Sequence, residues 1–426
     1  MGSRKRVGVS RGSTAPADDD TLLELVQRQT FGYFWDFAHP ASGLARDRSN
    51  PSNAKGLDVV VTGGSGFGAM AIIVAAERNW ITRQEAVDRL LKMTQFLLDA
   101  DGFHGMLPHF MDGATGKTVR FTRKDDGGDL VETAYLVAGL ICARQYFDRE
   151  DARENALRWR ITRLWEDAEW SWHAREAGNV LYWHWSPNNG WSMNYEIRGW
   201  NECLIAYVLA ASSPSYPVEP GAYHKGWAEG RNFRNGRRYH GIELPLGPDR
   251  GGPLFFAHYA FLGLDPRGLK DRYADYWQQN LAHVLINREH CVRNPHGFKG
   301  YGEGSWGLTA CDGPQGYDAF APDKDFGVIA PTAALSSMPY APQHALTALR
   351  HFLGPLRKQL WRDYGFVDAF CEAKGWYAQS HLAIDQGPII IMIENYRTGL
   401  LWRLFMSSPE ILAGLRRLGF TSPQLP

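Results

Sequence analysis

No excess of charge of either sign marks this chain: 46 Lys and Arg stand against 46 Asp and Glu, for a formal net charge of zero. A protein that tracks phosphate backbones carries a basic surplus, so no nucleic-acid partner is expected. Neutrality suits an uncharged ligand, which gains nothing from long-range steering. No run approaches the roughly 18–20 consecutive apolar residues of a membrane span, and no membrane partner is expected either. The basic start Arg4-Lys5-Arg6 leads through Val7-Gly8-Val9-Ser10 to Arg11 before any apolar core develops, which is not an export signal. As written, the chain reads as cytoplasmic, or as periplasmic or secreted if a leader has been removed or replaced. Cysteine is scarce: Cys142, Cys203, Cys291, Cys311 and Cys371 are scattered, odd in number and without a CxxC pair. That pattern implies buried thiols rather than a disulfide framework or a zinc site.

What the chain has in quantity is aromatic surface, 13% of its residues, with 16 Trp and 18 Tyr. An indole combines a large apolar body with one N–H donor. Many of these Trp sit beside His, Asn, Asp or Glu in loop-like sequence, which points several of them toward a ligand. Hydrophobic content of 44% over 426 residues is enough for a sizeable core.

Helical periodicity recurs from end to end. It predicts segments near 21–38, 70–78, a third opened by the capping-box spacing Thr82-Arg83-Gln84-Glu85, and others near 129–147, 151–168, 200–212, 270–289, 343–354, 388–405 and 409–418. Between them lie Gly-, Pro- and aromatic-rich stretches at 100–128, 180–199, 214–257 and 291–331, with a short strand expected around Val119–Thr122. No regular strand–helix alternation appears, so an all-α domain is favoured over an α/β one. Residues 1–20 read as a disordered tail, and 21–426 as one domain in which helices position long functional loops.

Four carboxylates stand out. Asp129 and Glu132, in Asp125-Asp126-Gly127-Gly128-Asp129-Leu130-Val131-Glu132, share a face at a helix start. The same spacing is a capping arrangement, and both readings can hold at once. Glu202 follows Trp200-Asn201 and precedes Cys203-Leu204-Ile205; entering a buried helix would raise its pKa, as a general acid requires. Asp385, before Gln386-Gly387-Pro388, reads equally as an N-cap or as a carboxylate at a cleft floor. Glu394 and Arg397 most simply form a helix ion pair. Gly63-Gly64-Ser65-Gly66-Phe67-Gly68 lacks the Lys-Ser/Thr of a phosphate loop and fits close helix packing better. His104, His109, His173 and His184 lack metal-motif spacing, and Asp125, Asp126 and Asp129 lack the EF-hand pattern, so no metal is expected. No cofactor motif is present.

Taken together, Thr62–Gly68, Phe103-His104-Gly105, Gly127–Ala134 and Tyr182-Trp183-His184-Trp185-Ser186-Pro187 resemble the glucoamylase-like bacterial proteins. Gly252–Phe256, Gly263–Arg267, Pro331–Pro339 and Ile393–Arg397 carry the same resemblance, which runs from about residue 21 to the C-terminus. This group includes the endo-β-1,2-glucanases of glycoside hydrolase family 144. The resemblance implies an (α/α)6 toroid that hydrolyses linear β-1,2-glucan with inversion to sophorooligosaccharides. It implies catalytic roles for Asp129, Glu132 and Glu202. By analogy with a related family, Glu202 would be the general acid and Asp385 the general base. Inversion requires the two carboxyls to stand roughly 6.5–9.5 Å apart, with room for water.

Trp183, Trp185, Trp200, Trp306, His109, His184, Asn201, Glu394 and Arg397 are the expected substrate-binding residues, around a β-glucan held by a monomer. Members are usually exported, whereas this chain shows no signal. The rival expectations are an exo-acting, sophorose-releasing hydrolase, a transglycosylase, and a glycan-binding protein on an enzyme scaffold.

Overall fold

The structure, a computed structural model, describes residues 18–52 and 54–425. Most of the expected tail lies outside the described residues. Its last residues do not: Asp18 caps the first helix by accepting the Thr21 N–H, and Asp19 and Asp20 form its first turn.

Among the described residues thirteen α-helices follow in order. They are α1 (Asp19–Trp35), α2 (Thr62–Glu77), α3 (Arg83–Asp99), α4 (Leu130–Tyr146), α5 (Ala152–Glu166), α6 (Leu204–Ser212) and α7 (Tyr276–Arg293). Then come α8 (Pro331–Leu335), α9 (Pro342–Leu353), α10 (Arg357–Leu360), α11 (Ala383–Arg397), α12 (Leu400–Met406) and α13 (Pro409–Arg417). The Thr82/Glu85 capping box forms in both directions and starts α3. Several boundaries differ from the sequence expectation. The glycine-rich run is inside α2, not ahead of it. The single helix expected over 388–405 is two, broken where Gly399 adopts φ +71. Pro388 does not start α11 but lies within it.

Helices α2, α4 and α11 are buried on nearly every face, which fits helices that are apolar all round. They pack side by side, α11 on α2 and α2 on α4, and α4 continues to α6. Residues 254–261, two short 3-10 turns, lean on α6, while Tyr340 donates to the Ala257 carbonyl (3.1 Å) and His258 meets Ser337 (3.0 Å). Helix α8 then returns to α11. Outside this set, α1 covers α2 and α11, α3 covers α5, α12 covers α4, and α13 covers α6.

The α2–α4 contact explains the glycines. A Cβ on Gly139 would lie 2.1 Å from the Gly66 carbonyl oxygen, and one on Gly66 would lie 2.4 Å from the Tyr135 carbonyl oxygen. Only bare backbones approach this closely.

Strands are short. β1 (Val59–Val61), β2 (Phe110–Asp112) and β3 (Thr118–Val119) form an antiparallel sheet with Val60 opposite Met111 and Phe110 opposite Val119. β4 (Gly128–Asp129) pairs with β5 (His184–Trp185), and β6 (Arg234–Tyr239) with β7 (Ile242–Leu246). All five cysteines are buried free thiols.

Candidate active site

The starts of α4, α6 and α11 carry the acids, the start of α2 adds the Gly63 N–H, and residues around them wall a cavity of about 300 Å³. Two larger hollows, of about 730 and 910 Å³, are lined by other residues. The smaller cavity is distinguished by its chemistry: Asp47, Glu132 and Glu202 open onto it beside Arg48 and His109.

Asp129 is the N-cap of α4. Its Oδ1 accepts the N–H groups of Val131 and Glu132 (both 2.9 Å). Its Oδ2 accepts from Trp183 Nε1 (3.2 Å) and lies 3.1 Å from His109 Nδ1. Burial pushes this carboxyl up, but the His109 bond and charge and the helix N–H groups hold it below its ordinary value. With every lone-pair direction engaged and no exposure, Asp129 anchors Trp183 and His109 and does not face the cavity itself.

Glu132 accepts the Gly63 N–H (2.6 Å) across the α2–α4 contact and stands 4.0 Å from His109 Nε2. Burial, opposed by His109 and reinforced by Asp129, raises it to about 7. Burial also works against a charged His109, yet Glu132 and Asp129 hold the imidazolium up to about 9.

Glu202 sits in the turn before α6, not inside the helix as its sequence suggests, because Asn201 Oδ1 accepts the Cys203 N–H (2.9 Å) and delays the helix start. Burial, with a smaller push from Glu132, raises Glu202 to about 7.

Asp385 departs from expectation. The N-cap of α11 is Leu382, and Asp385 lies in its first turn, only 1% exposed and off the cavity wall. Its Oδ1 accepts from Tyr259 Oη (3.3 Å), and Tyr259 does line the cavity. The Asp368 carboxyl neighbours that of Asp385, and Asp385 Oδ2 and Asp368 Oδ1 are both buried with no other hydrogen-bond partner. Burial and Asp368 drive Asp385 well above its ordinary value, while burial and the neighbouring Asp312 raise Asp368 to about 7. Two buried carboxyls in contact cannot both ionise, so they share a proton near neutrality.

Of the expected ligand-binding residues, the structure brings Trp183 and His109 to the cavity and sends the rest elsewhere. Trp200 is core, 5.7 Å from the Tyr276 ring and 6.3 Å from Trp227, and Trp306 is completely buried. Trp185 packs edge-on against His104 (5.0 Å) in an outer aromatic cluster. His184, the first residue of β5, is buried, with Nε2 accepting the Gly127 N–H and 3.1 Å from Asp125. Asn201 is spent on its turn. Glu394 and Arg397 lie at the far end of α11, and their expected mutual pair is replaced by partners from α1 and α2. Glu394 binds Arg78 (2.6 Å), and Arg397 binds Glu24 (2.8 Å).

Several wall residues carry no advance signal. Phe255, Tyr259 and Tyr317 come from irregular loops with no periodicity to read. Tyr135 was legible: it is three residues after Glu132 on α4, hence on the same face. Asp47 and Arg48 were legible as an acid–base alternation in Arg46-Asp47-Arg48. Arg48 bridges Asp47 (3.1 Å) and Asp312 (3.2 Å), which ties the 46–48 segment to the loop behind Asp368. The wall is thus built mainly of Phe and Tyr with a single indole. The ligand atoms of His109, Asp125 and Asp129 lie within 4.8 Å of one another, a spacing a cation could use, but His109 is bonded to Asp129.

The Glycoamylase family model, described as a glucoamylase, matches residues 194–409. An endo-β-1,2-glucanase of Chitinophaga pinensis, solved with sophorotriose and glucose, is 51% identical over 96% of this chain and all of its own, with a TM-score of 0.94. The chain belongs to this glucoamylase-like family. A β-1,2-glucanase structure from Parabacteroides distasonis is 44% identical, with a TM-score of 0.92, over 96% of this chain and 61% of its own. A curated relative from the same species, an exo β-1,2-glucooligosaccharide sophorohydrolase acting at the non-reducing end, is 44% identical over 95% of this chain. This chain spans 59% of that relative's length. An endo-β-1,2-glucanase of Talaromyces funiculosus shares the fold at 10% identity, with a TM-score of 0.64.

Proposed function

We propose that this family member is a glycoside hydrolase that cleaves β-1,2-glucan internally, with inversion. The observation that carries the reading is Glu202: a cavity-facing carboxyl raised to about 7, amid rings that can stack on sugar C–H faces. It holds its proton near neutrality and delivers it to the leaving oxygen. Glu132 and His109 hold sugar hydroxyls and set the charge around Glu202.

The water's proton goes to the Asp368–Asp385 pair. Since Asp385 is off the wall, that transfer passes through Tyr259 Oη or a sugar hydroxyl pressed against it. Asp47 is a second candidate acceptor, favoured by its direct opening onto the cavity. The chain of contacts α2–α4–α6–(254–261)–α8–α11–α2 supports a closed (α/α)6 ring, with the cavity at the end where the inner helices start.

Full-length correspondence with the Chitinophaga enzyme, itself named an endo-glucanase, favours internal cleavage. The exo relative favours release of sophorose from a chain end, but it carries a large part not represented here. Linear and cyclic β-1,2-glucans separate the two: internal cleavage opens the cycle and yields mixed oligomers early, while sophorose alone with the cycle left intact overturns the endo reading. Asp385→Asn and Asp47→Asn then decide the acceptor, because the true one loses about 10²–10⁴-fold in kcat.

A further inference from the structure

The larger hollow of about 910 Å³ belongs to no part of this mechanism. Its floor and sides are Trp172, Trp191, Tyr182 and Tyr216, with Arg175 and the carboxyls of Glu169 and Glu176 at its edge. Trp172 is 38% exposed and Tyr216 40%, a large aromatic exposure for a concave surface. His104, which also bonds Glu169 (2.9 Å), stacks on Trp172 at 3.8 Å, and Trp191 lies tilted 6.1 Å from the same ring. The Arg175 guanidinium lies over Tyr182 (4.6 Å) and Trp191 (5.4 Å) and fixes both rings. Arg175 does so from φ 57, ψ −174, a backbone region almost reserved for glycine. Such strain costs about 1–3 kcal/mol and persists where the position has a use.

The hollow also neighbours the catalytic wall along the chain. Tyr182 lines it, while the next residue, Trp183, lines the acid-bearing cavity. Its volume falls within the roughly 300–1,000 Å³ of ligand sites. Ring faces with carboxylate and guanidinium groups at the margin match a pyranose, which is apolar on its C–H faces and ringed by hydroxyls.

We propose that this hollow is a second glucan-binding site, holding a stretch of polymer outside the catalytic cavity. The proposal rests on the β-glucan reading of the first site. A chain long enough to reach both sites gains from the linkage, and a short one does not.

The test uses Trp191→Ala and, as a pair that removes only surface groups and relieves the strained backbone, Arg175→Gly with Tyr216→Ala. KM and kcat are measured on long linear β-1,2-glucan and on a five-glucose oligomer. KM for the polymer rises about 3–10-fold, with kcat and both constants on the oligomer unchanged. Equal losses on both substrates, or no change on the polymer, overturn the proposal. If the unmutated protein leaves β-1,2-glucan uncut, the function reading fails on its own account. Retardation in gels cast with β-1,2-, β-1,3- and β-1,4-glucans then decides the site. Retardation that the variants lose supports it, and absence of retardation in every gel overturns it.

Discussion

Replacing Gly139 by Ala tests whether the glycine contact between α2 and α4 holds the active site as well as the core. The added methyl would sit 2.1 Å from the Gly66 carbonyl oxygen, backbone that cannot swing aside, so the helices must part by about 1 Å to restore ordinary contact. Overpacking of this kind costs about 1–3 kcal/mol. One turn toward the cavity, the same contact carries the 2.6 Å bond from Gly63 N to Glu132. Parting the helices breaks that bond inside a buried site, adding about 1–3 kcal/mol. The total is about 4 kcal/mol. A chain of 426 residues has an unfolding entropy of about 0.9 kcal/mol/K, so Tm falls by about 4 °C. The Gly63 bond also lowers the pKa of Glu132, so its loss raises that pKa further and turnover falls with stability. Calorimetry and kcat on β-1,2-glucan are read side by side, with Gly102→Ala as control because nothing lies within 4 Å of its new Cβ. A Gly139→Ala protein that melts and turns over like the control would refute the reasoning.

Glu202→Gln lowers kcat about 10²–10⁴-fold. In the unmutated protein kcat falls as pH rises past about 7, because the acid must hold its proton. Since the folded pKa of Glu202 lies above its unfolded value near 4.5, its contribution to stability is full below that value and lost as pH rises through about 7. Glu202→Gln therefore melts higher than the unmutated protein at pH 8, and a lower melt there would contradict the buried acid. Trp200→Ala destabilises by about 3–5 kcal/mol in denaturant titrations. Trp183→Ala instead raises KM with a smaller stability loss; the reverse pattern would exchange their roles. Glu394→Gln, which removes the charge that the part-buried Arg78 meets at 2.6 Å and leaves that arginine with Glu24, costs about 1–3 kcal/mol. KM is unchanged, and a KM effect would return Glu394 to the site.

Helical periodicity, caps and the absence of strand–helix alternation made the helical architecture readable before any coordinates. Those signals are local and repeat within a few residues. The Thr82 box and the Asp129 cap appear where the sequence placed them, and the glycine run serves close helix packing as expected. The motif resemblance likewise pointed to the family and to Glu132 and Glu202.

Only the tertiary structure decided which aromatics see the cavity. Trp200 and Trp306 sit in loop-like sequence with a polar neighbour, Asn201 and Ser305, as Trp183 does with His184, and burial of Trp200 by Trp227 and Tyr276 and of Trp306 by the core is a long-range fact. The same holds for the partners of Asp385. Asp368 and Tyr259 come from irregular loops 17 and 126 residues away in the chain, and no short-range pattern encodes their meeting. Glu394 and Arg397 were paired by spacing along one helix, but arginine and glutamate from α2 and α1 lay closer in space. Sequence thus determines what each segment becomes on its own; which charges and rings finally face each other is set by how the helices close against one another.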